Sequence, residues 1–471
     1  MENSLLKIQP KHKWFTAFII LFAAIGGIIY GYDLGIIAGA LLFMHKTIPM
    51  TDMQSSFVVS AVLGGGAIAT LISGPLADLM GRRIMIILAA MIFLAGVGLL
   101  GFAQHYSEIL IGRLTQGIGI GIITITIPLY LSESLPKHIR GRGMSVFQLL
   151  LTMGILLASL VGLYFVPTEN WRAMFLSAGI PGVILLFGAL FLPNTPHWLL
   201  MKKRDAQALK VLRLSRNDEQ AQQELNAMQT SIHAQQNNLR ALFIHLRDKQ
   251  VWFPLFIVFA VASLQQLSGI NSLLQFSAYL LQQAGLQSNI TAMLGNTLIT
   301  SINFAVTIVA LFLIDRLGRK KLLSFGTAGM AMALALSGLV YFYLPFGLLK
   351  GYLLLACIAG FILTYGVGPG VVVWLVLSEL LPNKIRSTGM AAALFLNSMV
   401  SSLFASVFLS LTHYIGYAGV FGLCAFFSFL YFCIAYFVLP ETNNKTLEEI
   451  EGLFKQKFKL RAPILVTESS N

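Results

Sequence analysis

Long apolar stretches separated by short polar segments recur along the whole chain. An α-helix needs roughly 20 predominantly apolar residues to cross a bilayer, and twelve stretches reach that length. The pattern predicts spans 1 to 6 at 14–44, 55–78, 84–103, 107–131, 144–166 and 172–192, and spans 7 to 12 at 251–281, 289–314, 321–344, 351–377, 388–412 and 416–438. A longer polar segment, 193–250, divides the spans into two groups of six.

The composition excludes a soluble protein. A chain of 471 residues could hold about three soluble domains by length alone. However, 56% of its residues are hydrophobic and only 11% are charged, whereas soluble proteins carry about 25% charged residues. The fold class that follows is an all-α membrane protein with twelve transmembrane helices.

The basic residues lie mainly on one side of the predicted spans. If the N-terminus is cytoplasmic, 28 of the 32 Lys and Arg residues occupy cytoplasmic segments and three occupy outer loops, while Arg113 lies within a span. Cytoplasmic loops of membrane proteins carry such an excess. We therefore expect both termini in the cytoplasm of a multi-pass plasma (bacterial inner) membrane protein. This excess explains the net charge of +13, so we expect no nucleic-acid partner.

The polar segment between the two groups of spans has helical composition. Residues 201–228 contain no Pro or Gly and carry apolar points at Leu209, Leu212 and Leu225, which predicts short amphipathic helices on the cytoplasmic face. A plain linker is the alternative. The expected domains are an N-terminal bundle (1–192), this linker (193–250), a C-terminal bundle (251–440) and a cytoplasmic tail (441–471).

Two motifs occur twice, at corresponding places in the two groups of spans. SESLPKHIR at 132–140 recurs as SELLPNKIR at 378–386, and DLMGRR at 78–83 recurs as DRLGRK at 315–320. Both groups begin on the same side, so the repeats are parallel. Such repeats are typical of secondary transporters, which bind substrate near the midplane between their halves.

The duplicated motifs place carboxylates and basic side chains at the inner ends of helices. Arg offers a forked donor that pairs well with a carboxylate, so these groups could form a cytoplasmic gate that pairs in one state and releases in another. Alternatively, they only fix topology and extend to the membrane interface. The candidates are Asp78, Arg82, Arg83, Glu133, Arg140, Asp315, Arg319, Glu379 and Arg386.

Four further segments, taken in order with these motifs, resemble the sugar porter family of the major facilitator superfamily, which includes bacterial proton-coupled monosaccharide symporters. The segments are PLYLSESLPKHIRG at 128–141, QQLSGIN at 265–271, GVGPGVVVWLVLSELLP at 366–382 and PETNNKTLEE at 440–449. The resemblance covers nearly the whole chain. It implies the major facilitator fold, two parallel six-helix repeats, and transport by alternating access.

The chain departs from the family pattern at several positions. Asn194 and His197 stand where Glu and Arg are usual, which is expected to weaken an inside salt bridge. Gln275 and Phe276 replace a common Tyr pair in span 7. Three further departures are Leu79 in the first loop motif, Val371 in span 10 and Ser398 in span 11.

Amide side chains within the spans are candidates for sugar binding. Amides both donate and accept hydrogen bonds, which suits a hydroxyl group, and polar groups inside a bundle are costly unless satisfied. For a lone Asn or Gln, an interhelical hydrogen bond is the favoured interpretation, whereas sugar binding is favoured for the group Gln265, Gln266 and Asn271. The amide candidates are Gln148, Gln265, Gln266, Asn271, Gln275, Asn303 and Asn397, with Tyr365 and Trp374 as aromatic walls. The resemblance implies sugar contact at the matching positions.

The spacing within the span 7 motif sets a geometric requirement. Gln266 and Asn271 are five residues apart, so on an ideal helix they point well away from each other. They can converge only if span 7 is distorted, and Gly269 is placed to permit this.

Asp33 lies inside span 1, where a charge costs about 2.5–3.5 kcal/mol on insertion scales. Its natural partner is Arg113 of span 4. Burial favours the protonated carboxyl and Arg113 favours the carboxylate, so this side chain could load and release a proton. The resemblance implies the same, because proton-coupled members carry Asp here and facilitative members usually carry Asn. A static ion pair that holds span 1 against span 4 is the alternative.

The favoured function is import of a hexose, pentose or inositol-like monosaccharide by proton symport. A facilitative uniporter and a non-transporting membrane sugar sensor are the alternatives, although such sensors tend to have longer tails than this one. An enzyme is disfavoured because none of the eight His residues lies deep in a span beside a carboxylate. We expect no cofactor or metal, and a proton as the coupling ion. The expected partners are a sugar and the lipid bilayer, and the expected oligomeric state is a monomer.

Overall fold

The structure, a computed structural model, describes residues 10–236, 249–381 and 386–442, together with 449 and 452. These residues are helical and contain no strand. Within them, eleven helices are long and apolar enough to cross a membrane. The last of these, Gly389–Val438, is 50 residues long and is interrupted at Gly416, where φ is 69° and ψ is 167°. It therefore forms two spans, which confirms the predicted twelve-span fold.

Most helices begin one to seven residues before the predicted apolar limits, although spans 3, 5, 6 and 9 end one to three residues before theirs. Spans 1 to 6 are Pro10–Thr47, Asp52–Met80, Arg82–Phe102, Tyr106–Ser134, Lys137–Phe165, and the pair Trp171–Ser177 and Gly179–Ala189. Spans 7 to 12 are the pair Lys249–Leu267 and Ile270–Ala284, then Asn289–Leu317, Arg319–Tyr343, the pair Leu348–Val367 and Pro369–Leu380, and finally 386–415 and 417–433 with a π-helical turn at Ile434–Val438.

A polar capping box explains the added residues at the start of span 2. In span 2, the Thr51 side chain accepts from the Gln54 backbone N–H, and the Gln54 side chain accepts from the Thr51 N–H. This capping box satisfies N–H groups that otherwise lack partners at a helix start. A hydrophobic window detects only the apolar part of such a helix, so it places the ends too far inside.

Single glycines connect spans 2 and 3 and spans 8 and 9. Gly81 (φ 95°) and Gly318 (φ 86°) have positive φ, which side-chain-bearing residues rarely adopt. A Cβ on Gly81 would lie 3.0 Å from the Trp198 ring, and one on Gly318 would lie 2.8 Å from the Glu441 carboxylate. The two copies of the loop motif therefore have the same backbone requirement, and both are covered by the segment that follows their half.

Glycines also allow close packing between the spans that carry the charged pair. A Cβ on Gly31 of span 1 would lie 1.8 Å from the Leu151 carbonyl oxygen of span 5, and one on Gly117 of span 4 would lie 2.2 Å from the Val62 carbonyl oxygen of span 2. Small residues permit helix backbones to approach this closely within a membrane. These contacts fix the positions of Asp33 and Arg113 from both sides.

The segment between the halves forms the predicted short helices. They are Pro196–Met201, Asp205–Leu212 and Asp218–Gln236, and they bury a small apolar cluster that includes Trp198, Leu212 and Leu225. Arg216 Nη1 donates to the Ser134 carbonyl at 3.2 Å, which attaches this layer to the end of span 4. We refer to this end of the bundle as the linker end and to the opposite end as the far end.

Hydrogen bonds between the two halves run from the middle of the bundle to the far end. Ser402 Oγ of span 11 donates to the Ser60 carbonyl of span 2 at 3.1 Å, and Ser159 Oγ of span 5 lies 2.8 Å from Thr300 Oγ1 of span 8. At the far end, His413 Nε2 lies 2.6 Å from Asp52 Oδ2. The halves are thus closed against each other on the side away from the linker helices.

Candidate functional site

Span 7 is broken at the position that the sequence indicates. The first helix ends at Leu267, the second begins at Ile270, and Gly269 between them has a left-handed conformation with φ 84°. On a continuous helix, residues five apart point about 140° away from each other. Across this break, Asn271 Nδ2 donates to Gln266 Oε1 at 2.9 Å. The predicted distortion and convergence are therefore both present.

The convergent side chains form an amide cluster of Gln265, Gln266, Asn271, Asn397 and Ser401. Gln266 Nε2 donates to Asn397 Oδ1 at 3.1 Å, and Asn397 Nδ2 donates to Gln265 Oε1 at 3.0 Å. Asn271 Nδ2 also donates to Ser401 Oγ at 2.8 Å. Ser401 was not among the sequence candidates, although it lies one turn after Asn397 on span 11. The cluster joins both parts of span 7 to span 11 through neutral donors and acceptors.

Two further candidates adjoin the amide cluster. Gln265 Nε2 donates to the Tyr365 hydroxyl at 3.2 Å, so span 10 contributes an aromatic side chain. Gln275 Nε2 donates to the Asn271 carbonyl at 3.2 Å. The Gln275 Oε1 atom is buried and accepts no hydrogen bond from the described atoms. A buried acceptor without a donor is costly, so Gln275 offers a position for a hydroxyl ligand.

Three candidates stand apart from this hydrogen-bonded set. Asn303 is buried in span 8, while Gln148 and Trp374 are partly buried. Trp374 packs against the second hydrophobic cluster of the C-terminal half. Within the described part of the chain, no side-chain hydrogen bond connects these three residues with the amide cluster. Their predicted contact with sugar stays a prediction.

The N-terminal half contains a fully buried ion pair. Arg113 Nη1 donates to Asp33 Oδ1 at 2.9 Å, and both side chains have no exposed surface. Arg113 Nη1 also donates to Gln116 Oε1 at 3.1 Å, and Arg113 Nε donates to the Val58 carbonyl at 3.4 Å. The Phe175 ring of span 6 lies with its centroid 5.5 Å from the guanidinium carbon. The expected partners thus meet in a dry site between spans 1, 2, 4 and 6.

The pair does not use all of its hydrogen-bonding capacity. Asp33 Oδ2, Arg113 Nη2 and Gln116 Nε2 are buried and have no hydrogen-bond partner among the described atoms. Burial favours the neutral carboxyl, whereas the adjacent guanidinium favours the carboxylate. A carboxylate held by one hydrogen bond between these opposed effects retains an oxygen that can accept a proton.

Tyr30 lies near the ion pair on span 1. It precedes Asp33 by about one helical turn. Both Tyr30 and Tyr365 pack against the main hydrophobic cluster. Tyr30 was not among the candidates because a lone Tyr in an apolar span is ordinary.

At the linker end, the N-terminal copy of the charged motifs forms a dense network. Arg82 is 2% exposed and donates to Glu133 Oε1 through Nε at 3.1 Å and Nη2 at 2.7 Å. Asp78 Oδ1 lies 2.8 Å from Arg82 Nη2, and Thr195 Oγ1 donates to Glu133 Oε2 at 2.6 Å. His197 Nδ1 lies 3.5 Å from Glu133 Oε1, so the His that replaces the usual Arg stays beside the carboxylate.

Arg83, the second basic residue of this motif, points elsewhere. Its Nε donates to the Ala189 carbonyl at 3.3 Å and its Nη2 donates to the Leu190 carbonyl at 2.5 Å, at the end of span 6. It therefore stabilises a helix C-terminus, where cations are favoured, rather than pairing with Glu133.

The C-terminal copy places the corresponding Arg and Glu in a more exposed position. Arg319 Nε lies 3.9 Å from Glu379 Oε1. The Glu441 carboxylate accepts from the backbone N–H groups of Arg319 at 2.9 Å and Lys320 at 3.2 Å. Glu441, which follows span 12, was not a candidate. The side chains of Arg140, Asp315 and Arg386 lie outside the described residues.

Residues 19–454 match the family model described as Sugar (and other) transporter. The chain is 36% identical over 444 residues to the glucose transporter GlcP of Staphylococcus epidermidis, covering 93% of this chain and 97% of that protein. It is 32% identical over 453 residues to the arabinose-proton symporter of Escherichia coli, covering 94% of each.

Solved structures agree with these relatives. The proton:xylose symporter XylE bound to 6-bromo-6-deoxy-D-glucose matches with a TM-score of 0.77 at 26% identity, covering 94% of this chain and 100% of that one. The inward open conformation of XylE from E. coli matches with a TM-score of 0.79 at 25% identity, covering 93% and 99%. The fold is therefore that of the major facilitator superfamily, and the chain belongs to the sugar transporter family of membrane proteins, a family of transporters rather than enzymes.

Proposed function

We propose that this protein imports a monosaccharide by proton symport with alternating access. The observation that supports coupling most directly is the Asp33–Arg113 pair. It is fully buried, it is joined by one hydrogen bond of 2.9 Å, and Asp33 Oδ2 is left without a partner. Ionisable residues within membrane spans are rare and mark ion pathways and proton relays. Relatives named as proton symporters for arabinose and galactose favour the same interpretation.

The amide cluster is the proposed sugar site. The hydroxyl groups of a sugar both donate and accept hydrogen bonds, and an amide side chain can accept from or donate to each of them. Gln266, Asn271 and Asn397 already exchange hydrogen bonds with one another. A bound sugar would exchange these bonds for bonds to its own hydroxyls, so binding would not leave the amides unsatisfied. Tyr365 would offer an aromatic face to the C–H surface of the ring.

The contacts between the halves suggest which state this structure represents. The halves are hydrogen-bonded from the middle of the bundle to the far end, through pairs such as Ser60–Ser402 and Asp52–His413. If the positive-inside bias places the linker end in the cytoplasm, the sugar site is closed to the outside. We infer an inward-facing state of a bacterial inner-membrane protein with cytoplasmic termini.

Uptake into proteoliposomes tests the proposal. Labelled xylose, glucose, galactose, arabinose and myo-inositol are supplied with and without an inward proton gradient. We expect one sugar to accumulate above equilibrium and a protonophore to abolish the accumulation. If the sugar only equilibrates across the membrane, at the same rate with and without the proton gradient, the protein is a uniporter and Asp33–Arg113 is a structural pair. Absence of uptake for every sugar would contradict the substrate class and favour a sensor.

A further inference from the structure

Gln116 is a third member of the buried ion pair. It lies about one turn after Arg113 on span 4 and has no exposed surface. Arg113 Nη1 donates to both Asp33 Oδ1 at 2.9 Å and Gln116 Oε1 at 3.1 Å. On the other side of the guanidinium, Nε donates to the Val58 carbonyl. Two neutral acceptors therefore set the orientation of the charged group.

This orientation of the guanidinium prevents Arg113 from forming two parallel hydrogen bonds to the Asp33 carboxylate. Arg and carboxylate groups that can align freely often form two parallel hydrogen bonds, because the planar fork matches two oxygens. Here only Nη1 reaches Asp33, while Nη2 and Asp33 Oδ2 are both buried without partners. Leaving two such atoms unpaired is costly, and the hydrogen bonds to Gln116 and Val58 oppose the rotation that would join them.

We propose that Gln116 is a positioning residue that holds Arg113 in a single-bond geometry and so keeps Asp33 able to take up and release a proton. Without Gln116, the guanidinium can turn towards both carboxylate oxygens and stabilise the charged form of Asp33. The inference rests on the proposed proton coupling, but it concerns the protonation of Asp33 and can be measured without transport.

The groups that face Asp33 come from several spans. Arg113 donates to it from span 4, Gln116 accepts from the same Arg113 nitrogen, and Tyr30 lies about one turn away on its own span. The Phe175 ring from span 6 lies against the guanidinium. The Tyr32 hydroxyl lies 2.6 Å from Ser177 Oγ. Span 5 approaches through backbone at Gly31 and Leu151. Among these contacts Arg113 carries the charge opposite to that of Asp33, so its orientation should dominate the proton affinity.

The test is an infrared pH titration of the full-length protein in lipid. The C=O stretch of the protonated Asp33 carboxyl is assigned by its loss in Asp33→Asn. In Gln116→Asn, which is one methylene shorter and keeps the polarity, the pH of half-protonation should fall by about one unit. Gln116→Met, which removes the acceptor at nearly equal volume, should shift it in the same direction and serves if the Asn variant does not fold. The pH profile of sugar uptake should move equally.

Thr126→Val is the matched control, because it removes a buried hydroxyl from the same span that has no hydrogen-bond partner among the described atoms. It should leave the midpoint unchanged. An unchanged midpoint in both Gln116 variants, or an equal shift in the control, would overturn the inference. A shifted infrared midpoint in a protein that never accumulates sugar would uphold the role of Gln116 and refute symport instead.

Discussion

The two halves of the molecule bury different polar chemistry within similar helical bundles. The N-terminal half buries a charged pair, Asp33 and Arg113, whereas the C-terminal half buries the neutral amide cluster. A carboxylate changes charge when it binds a proton, but an amide does not ionise. On the proposed function, the N-terminal half would therefore respond to protons and the C-terminal half would recognise hydroxyl groups.

A second contrast appears at the linker end. In the N-terminal half, Arg82 is fully enclosed and donates twice to Glu133. In the C-terminal half, Arg319 Nε lies 3.9 Å from Glu379 Oε1, and both side chains are partly exposed. The two copies thus differ in how deeply this Arg and Glu are buried. Both copies keep a glycine at positive φ before the Arg.

The largest expected effect is the loss of proton-driven accumulation in Asp33→Asn. The amide keeps the size and an acceptor oxygen for Arg113, but it cannot take up a proton. Sugar should then only equilibrate across proteoliposomes under a proton gradient, while exchange of labelled for unlabelled sugar continues. Thermal unfolding checks that the variant folds, since a buried Arg without its carboxylate is destabilising. Undiminished accumulation would show that the charge of the N-terminal half is structural.

In the C-terminal half, Gln266→Leu should weaken sugar binding without uncoupling it. Gln266 accepts from Asn271 and donates to Asn397, and losing such bonds in a buried site costs about 1–3 kcal/mol. The KM should rise about 10- to 100-fold, with the proton-to-sugar ratio unchanged. Gln282→Leu is the matched control, since Gln282 lies on the same span but bonds to Asn289 outside the cluster. Equal KM changes in both variants would argue against a sugar site here.

Much of the architecture could be predicted because the bilayer imposes a simple rule on the sequence. Twelve apolar stretches and the parallel repeat follow from length and spacing. The break in span 7 was predictable because Gln266 and Asn271 cannot otherwise meet. Even the division of the last long helix, at Gly416, falls at the first residue of predicted span 12, directly after the predicted gap at 413–415.

The partners within the site were less predictable. Gln116 is an amide within predicted span 4 and met the criterion used for the candidates, although it was not among them. Ser401 carries no such signal. The contacts of both residues depend on how each helix is rotated against its neighbours. The sequence pattern does not specify that rotation when nearly every face is apolar. Similarly, the sequence identifies Glu379 and Arg319 as equivalents of Glu133 and Arg82, but the greater exposure of the C-terminal pair arises from packing.

Lysine substitutions should sharpen the contrast at the linker end. Arg82→Lys keeps the charge but replaces two directed donors by one ammonium group, and should destabilise the protein by about 1–3 kcal/mol. Arg319→Lys alters a more exposed arginine, whose interactions are more strongly screened by solvent, and should cost less than Arg82→Lys. Thermal unfolding of both variants in the same detergent measures the difference. Equal losses would mean that the two copies contribute alike.

The smallest expected effect concerns a position where the halves differ by one group. Pro193-Asn194-Thr195 follows span 6 as Pro440-Glu441-Thr442 follows span 12. The Glu441 carboxylate accepts from the first N–H groups of span 9, where a negative charge is worth about 0.3–1 kcal/mol. The buried Asn194 Oδ1 atom lacks a hydrogen-bond partner among the described atoms.

If the repeat extends to this segment, Asn194→Glu should raise the thermal midpoint slightly by capping span 3, and Glu441→Gln should lower it by a similar amount. The two shifts are best compared in one series, since their opposite signs separate capping from any general effect of added charge. A fall in stability for Asn194→Glu would instead mean that repulsion from Glu133, which Thr195 holds nearby through a 2.6 Å hydrogen bond, exceeds the capping contribution. The denser network of the N-terminal half would then be the reason that it tolerates an amide where the C-terminal half uses a carboxylate.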